Sequence, residues 1–450
     1  MQRRRTTPPE AERPARGGLA RAGGAVRGKV GASLRGLSKG VRRFLPPPAP
    51  IEEAVERILA PHLARDPDAP FWRQWRGTLR LLWPLGDVSR GNAVELLGDG
   101  DEVFEAMWAA IRGAERRVLF TTYILEEDAV GRRFQEELVA AAERGVTVSV
   151  VLDAFGSGDL PSGYVRALEA AGAEVHWFNP ILRLRTRFSR LVRNHRKILV
   201  VDEELAFCGG MNASEDYAGE RFGNGLFRDA HLCLRGPCAR DLADLHRASI
   251  LQMRARPPAA FQRADERADG TLIQVLESNV RREQRAIQKA LHLMLVRAVE
   301  RVVLTSPYFV PPPRLVRDLV DAAERGVEVR VLTAGVSDVP AVTMASRHLY
   351  GRLLKAGVRV FEMQERTLHA KTAAVDGLFA SVGSFNLDYI SYRRNLEVTV
   401  AILDEAAASA VETRFEEDLA LSDEVLLDAW RQRGRWERFR DWVAYRLLSL

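Results

Sequence analysis

Asn194-His195-Arg196-Lys197-Ile198-Leu199-Val200-Val201-Asp202, followed by Gly209-Gly210-Met211-Asn212, is a phrase that the chain writes twice. The second copy runs Leu368-His369-Ala370-Lys371-Thr372-Ala373-Ala374-Val375-Asp376, then Gly383-Ser384-Phe385-Asn386. In both, Lys follows His by two residues, Asp follows Lys by five, and Asn follows Asp by ten. A sparse pattern repeated at one spacing points to two half-sites that meet on one phosphate. The His-x-Lys step places both side chains on one face of a strand. The apolar runs Ile198–Val201 and Thr372–Val375 read as short buried strands. Gly209-Gly210 and Gly383-Ser384 allow backbone to approach a ligand closely.

Working outward, the repeat covers more than the motif. Val118 to Ile124 reads as a strand, Gly131 to Arg144 as an amphipathic helix stopped by Gly145, and Val146 to Leu152 as a strand ended by Asp153. The order returns as strand Val302 to Thr305, helix Pro313 to Arg325 and strand Val327 to Leu332. The hexapeptide Ala-Ala-Glu-Arg-Gly-Val stands at 141–146 and again at 322–327. The chain therefore reads as an α/β fold of two duplicated α/β/α domains with mostly parallel sheets, over 91–255 and 256–421. One insertion separates the copies. From Gly172 to His195 is 23 residues, and from Gly357 to His369 is 12. The extra stretch carries Arg183, Arg185, Arg187, Arg190 and Arg193, which reads either as a binding patch for anionic groups at the site entrance or as a solvated loop.

Composition bounds the rest. The 450 residues are 46% hydrophobic and 28% charged, with a net charge of +6. Residues 1–50 hold ten Arg and two Lys against Glu10 and Glu12, a charge of +10, which leaves 51–450 at −4. The basic excess thus sits in a Gly/Ala/Arg-rich tail expected to be disordered. It reads as a solvated tail, a polybasic arm or a transit peptide. No apolar run approaches the ~20 residues of a spanning helix, and the N-terminus lacks the apolar core of a secretory signal. The odd set Cys208, Cys233 and Cys238 reads as reduced core cysteines without metal spacing.

The chemistry follows from the residue types. Cleaving a phosphodiester needs a nucleophile, an acid for the leaving oxygen and positive charge on the non-bridging oxygens. Two His and two Lys supply this set. His195 is expected to attack phosphorus and His369 to protonate the departing alcohol, with Lys197 and Lys371 on the phosphoryl oxygens. The chain has six Lys against 60 Arg, and two of those six lie in the repeated phrase. Asn212, Ser384 and Asn386 offer neutral hydrogen bonds. Glu397, 28 residues after His369, and Asp229, 34 after His195, are expected to orient the imidazoles. Asp202 and Asp376 complete the motif and are expected to hold its architecture. No metal or cofactor is implied.

The doubled motif, with Ser306-Pro-Tyr-Phe-Val-Pro311, Val382-Gly-Ser-Phe-Asn-Leu-Asp388 and Asp153-Ala-Phe-Gly-Ser-Gly-Asp159, resembles the phospholipase D superfamily over about residues 91–420. Within it the chain looks most like bacterial cardiolipin synthases without N-terminal transmembrane helices. The resemblance implies halves paired about a pseudo-twofold axis, with one site at the seam. It also implies transfer of a phosphatidyl group between two phosphatidylglycerol molecules, forming cardiolipin and glycerol. Phosphatidylethanolamine or another alcohol is an alternative acceptor. A hydrolase of phospholipid, or a nuclease, shares the same intermediate. Six of the eight Trp, at 72, 75, 83, 430, 436 and 442, lie in the flanks 51–90 and 422–450. Both flanks are read as helical and membrane-facing. The expected partner is an anionic phospholipid surface on the cytoplasmic face of the bacterial membrane, not nucleic acid.

Overall fold

A computed structural model describes residues 70–180, 191–253, 270–279 and 285–449, together with Glu56 and Ala60. The basic tail and Arg183, Arg185, Arg187 and Arg190 lie outside the described residues.

In the first half, β1 (Asp87–Leu97) is followed by β2 (Arg117–Thr122), β3 (Thr147–Asp153), β4 (Glu174–Phe178), β5 (Arg193–Asn194), β6 (Ile198–Val201), β7 (Leu205–Gly209), β8 (Phe227–Arg228) and β9 (His231–Arg235). The second half supplies β10 (Thr271–Ser278), β11 (Arg301–Thr305), β12 (Glu328–Ala334), β13 (Arg359–Met363), β14 (Thr367–Leu368), β15 (Thr372–Val375), β16 (Phe379–Gly383), β17 (Asn395–Leu403) and β18 (Ser422–Glu424). One sheet runs β18-β13-β12-β11-β15-β16-β17-β10-β1-β9-β7-β6-β2-β3-β4. Outward from the antiparallel β1–β10 seam, the two halves present equivalent strands in the same order. The duplication inferred from the hexapeptide is thus a duplication of topology.

The sheet is mixed. Parallel pairing, expected for most of the sheet, holds in the outer strands β2–β3–β4 and β11–β12–β13. The inner strands are antiparallel. The cause is connection length. The motif strands β6 and β15 turn back through Asp202–Glu204 and Asp376–Leu378, and a turn that short joins only antiparallel neighbours.

Helices cover both faces. They are α1 (Pro70–Leu82), α2 (Gly100–Arg112), α3 (Ala129–Glu143), α4 (Ser162–Ala170), α5 (Cys238–Met253), α6 (Ala286–Arg297), α7 (Pro313–Glu324), α8 (Pro340–Lys355), α9 (Tyr389–Arg393), α10 (Glu405–Leu419), α11 (Leu427–Arg431) and α12 (Arg435–Leu448). The repeated hexapeptide closes α3 and α7 identically. Gly145 and Gly326 adopt φ of +89° and +93°. Val146 N–H bonds Ala141 O at 3.1 Å, and Val327 N–H bonds Ala322 O at 3.2 Å. This 6→1 closure of a helix end requires a left-handed residue, hence Gly. Phe104, Trp108 and Phe134 from α2 and α3 pack over Phe120 of β2, each contributing about 1.5–3 kcal/mol by burial. Cys208, Cys233 and Cys238 are buried and free.

The flanks differ from expectation. Trp75, Leu79 and Leu82 of α1 are buried in the second half's core beside α6, so this helix packs inward. The spacing that lines a helix against a membrane also lines it against a core. The side chain of Trp72 lies outside the described residues. The C-terminal flank opens with the edge strand β18, paired to β13, before turning helical. Its helix α12 exposes Trp436 (74%), Phe439 (52%), Trp442 (45%) and Leu447 (68%).

Candidate active site

Two very short strands carry the histidines to their place. β5 lies parallel to the start of β17, pairing Arg193 with Asn395 and Asn194 with Leu396. β14 lies parallel to β8 in the same register, pairing Thr367 with Phe227 and Leu368 with Arg228. The ladder continues one step: His195 N–H donates to Leu396 O at 2.9 Å, and His369 N–H to Arg228 O at 2.8 Å. His195 therefore comes to Glu397, and His369 to Asp229. His195 Nδ1 lies 3.1 Å from Glu397 Oε2 and 3.2 Å from the Ser384 carbonyl. His369 Nδ1 lies 2.6 Å from Asp229 Oδ2. Both carboxylates named from sequence are brought to imidazoles, but crosswise: each half's histidine is held by the other half. A carboxylate on Nδ1 fixes the proton there and turns the Nε2 lone pair toward the site.

The lysines close the cluster. Lys197 Nζ donates to His195 O at 3.0 Å and stands 5.3 Å from the centre of the Tyr123 ring. Lys371 Nζ donates to His369 O and lies 2.8 Å from His369 Nδ1. Burial pushes Lys197 down to about 7 and Lys371 down to about 8, against the pull of Glu397 and Asp229. Both histidines are also lowered, chiefly by burial; His369 falls further because Lys371, Lys197 and His195 all oppose its protonation. The four bases thus act on one another within a single buried volume. Such a cluster gains by admitting an anion, which restores the charges that burial penalises.

The two carboxylates are not equivalent. Glu397 accepts from Ser384 Oγ at 2.5 Å, Ser391 Oγ at 2.9 Å and Asn395 Nδ2 at 3.1 Å, besides His195. Burial alone would raise its pKa, but His195, Lys197 and the Ser384 hydroxyl outweigh that and hold it below the usual range. Asp229 accepts from Ala230 N at 2.7 Å and His369. Burial pushes Asp229 up to about 6. Gly210, in the place of Ser384, leaves no room for a side chain: a Cβ there would stand 2.2 Å from Asp229 Oδ1.

The remaining predicted residues have other partners. Ser384 serves Glu397 and His195 rather than open space. Asn212 accepts from Ile124 N and donates to Tyr217 Oη at 2.7 Å. Asn386 is buried, its Oδ1 without a partner among the described residues. Asp202 takes the amides of Glu115, Arg116 and Arg117 at 2.7–3.0 Å. Asp376 takes those of Val299, Glu300 and Arg301, and the Trp75 indole at 3.1 Å. Both stand at φ +54°, a left-handed turn position that Asp tolerates. Five strand residues beyond the lysine, each aspartate lies roughly 16 Å along the chain from the cluster. Arg193, expected to meet headgroups, is instead buried, 3.2 Å from Asp153 and 3.0 Å from the Asn179 carbonyl. It braces the strand that delivers His195.

Sequence reasoning missed the aromatic and hydroxyl groups around the histidines. Tyr123 stacks edge-on to His195 at 5.0 Å. Tyr217 does so to His369 at 5.1 Å, with its Oη 3.5 Å from Nε2. Tyr308 lies 6.5 Å from His369. Ser391, which helps fix Glu397, was also unmarked. Tyr308 sits in a string already singled out; Tyr217 and Ser391 carry no sequence signal.

Known proteins resemble this chain. Residues 107–229 and 291–419 match the family described as cardiolipin synthase, PLD-like domain. The chain is 38% identical to cardiolipin synthase A of Pseudomonas aeruginosa, over 80% of this chain and 73% of that protein. It is 33% identical to cardiolipin synthase B of Salmonella typhi, over 80% of this chain and 88% of that protein. Among solved structures, phosphatidylserine synthase of Haemophilus influenzae superposes with a TM-score of 0.62 at 14% identity, covering 84% of this chain and 96% of that one. That last likeness is one of fold.

Proposed function

Since the chain belongs to the cardiolipin synthase family with PLD-like domains, we propose that it is a phosphatidyl transferase that makes cardiolipin from phosphatidylglycerol. The supporting observation is the pair of crossed His–carboxylate contacts beside two buried lysines. In this reading His195 Nε2 forms a bond to phosphorus while the P–O bond to glycerol breaks, and His369 gives the leaving oxygen its proton. A hydroxyl of a second phosphatidylglycerol then attacks the phosphohistidine. The new P–O bond forms, the P–N bond breaks, and the hydroxyl proton passes to His369. Lys197 and Lys371 balance the charge on the phosphoryl oxygens.

The unequal carboxylates support this division of roles. A phosphorylated imidazole with Nδ1–H is cationic, and the four-donor cage keeps Glu397 ionised beside it. An acid–base group needs surroundings that titrate near neutrality, and Asp229 has them.

Among the described residues no helix is long and apolar enough to cross a membrane. The proposed contact is peripheral, on an anionic bilayer at the cytoplasmic face, through the exposed aromatic stripe of α12 between Arg435, Arg438 and Arg446. In the same reading the two catalytic domains span about 91–255 and 256–421.

Labelled phosphatidylglycerol incubated with the protein should give cardiolipin and glycerol on lipid chromatography. Phosphatidic acid as the sole product would replace the transferase reading with a hydrolase. Trapping the phosphoenzyme should label the peptide that contains His195; label on the His369 peptide would reverse the two roles.

A further inference from the structure

The mouth of the site is chemically lopsided on the His369 side. The loop that joins β12 to α8 carries Asp338, whose side chain is exposed. Its Oδ2 accepts from Tyr308 Oη at 2.6 Å. Tyr308 in turn faces His369. The carboxylate acts electrostatically on Tyr217, His369 and Lys371, so it stands within range of the reacting groups. The first half differs at the equivalent position. Four residues past the end of β3, where Asp338 stands past β12, is Ser157, buried and bonded to the Tyr123 carbonyl at 3.0 Å. An exposed carboxylate beside a site built for an anionic phosphoryl group does nothing for that phosphate. It suits a neutral group that donates hydrogen bonds.

We propose that Asp338, held by Tyr308, is the specificity-determining residue that binds the glycerol hydroxyls of the alcohol entering or leaving on the His369 side. The inference rests on the transferase reading above and deepens it. An alcohol attacking the phosphohistidine must deliver its proton to His369, so its remaining hydroxyl lies on that side of phosphorus. A carboxylate accepts from such a hydroxyl, and the Tyr308 phenol fixes the carboxylate's orientation. An ammonium headgroup is disfavoured at the same place, because Lys371 and Lys197 repel it while a neutral diol meets no such penalty. Val336 and Val339, 50% and 39% exposed beside Asp338, give the loop an apolar edge against the lipid from which the headgroup rises.

The test is the ratio of cardiolipin to phosphatidic acid formed from phosphatidylglycerol vesicles. Both products come from one phosphoenzyme, so damage to its formation lowers them together and leaves the ratio unmoved. Asp338→Ala should lower the ratio about tenfold, the scale of a lost hydrogen bond to a charged group. Tyr308→Phe, which frees the carboxylate but keeps it, should lower it less. Raising the mole fraction of phosphatidylglycerol should recover part of the ratio in both variants. A wild-type ratio carried unchanged into Asp338→Ala would overturn this inference alone. Wild-type protein yielding only phosphatidic acid would overturn the transferase reading, and this one with it. Greater loss with phosphatidylethanolamine than with phosphatidylglycerol as acceptor would assign Asp338 to an ammonium instead.

Discussion

Glu397 and Asp229 hold equivalent places, each opposite the other half's histidine, yet Glu397 receives four hydrogen bonds and Asp229 two among the described residues. Ser384, Ser391 and Asn395 supply the extra donors to Glu397, and one of those positions can be compared directly. Ser384 offers Glu397 a hydroxyl, whereas Gly210 stands so close to Asp229 that any side chain would collide with it. Duplication produced two copies of a strand and a turn. Hydrogen-bond supply then made one carboxylate firmly ionised and left the other near neutrality. The symmetry of the backbone therefore does not imply equal chemistry in its two halves.

The sharpest way to break that comparison is to neutralise the carboxylates separately. Glu397→Gln should lower kcat about a thousandfold, because His195 loses both its orientation and its counter-charge. Wild-type kcat/KM should trace a narrow bell. As pH falls through about 6, Asp229 takes a proton and no longer accepts from His369 Nδ1, so the rate falls. As pH rises through about 7 and then 8, Lys197 and Lys371 lose their charge, and the rate falls again. Asp229→Asn should erase the acid arm, and Glu397→Gln should leave it in place at a lower plateau. Identical profiles for the two variants would show that the halves are equivalent after all.

The lysines allow a second comparison, between function and stability. Each has a folded pKa far below its ordinary 10.5, so between about pH 7 and 10 the unfolded chain binds more protons than the native one. Stability should therefore rise with pH across that window. Below it, each buried cation weighs against folding by on the order of a few kcal/mol. Lys197→Met or Lys371→Met should abolish turnover and yet raise the melting temperature at pH 7. A fall in melting temperature would mean that the lysines are net stabilising, through Glu397 and Asp229.

The motif, the duplication and the two carboxylates that meet the imidazoles were legible because each is written locally, as spacing and residue type. The crossing was not. It depends on the pairing of β5 with β17 and of β8 with β14, strands of two residues at their contact, and nothing in two residues specifies a partner so distant along the chain. Counting each carboxylate from the histidine that precedes it leads to the wrong imidazole. Arg193 was misread for a related reason. Arg-rich composition marks charge but not burial, and Asp153, its partner, lies 40 residues away. Asp202 and Asp376 were legible as architecture because a turn residue after an apolar run has an ordinary reason to be Asp.

The flanks give the last and smallest comparison, since one aromatic helix turned inward and the other outward. Trp75 donates its indole N–H to Asp376, tying α1 to the foot of the second motif. Trp436, Phe439 and Trp442 touch mainly one another, with ring centres 5.8 Å apart along the stripe. Replacing these three by Ser should reduce flotation with phosphatidylglycerol vesicles by on the order of tenfold and leave the melting temperature unchanged. Trp75→Phe should do the reverse: flotation is kept, and about 1.5–3 kcal/mol of stability is lost with a hydrogen bond to a charged group. High salt separates the contributions within α12, because screening weakens Arg435, Arg438 and Arg446 and spares the rings. If flotation survives the triple substitution, the stripe is not the membrane contact, and the lipid must be reached through the catalytic mouth alone.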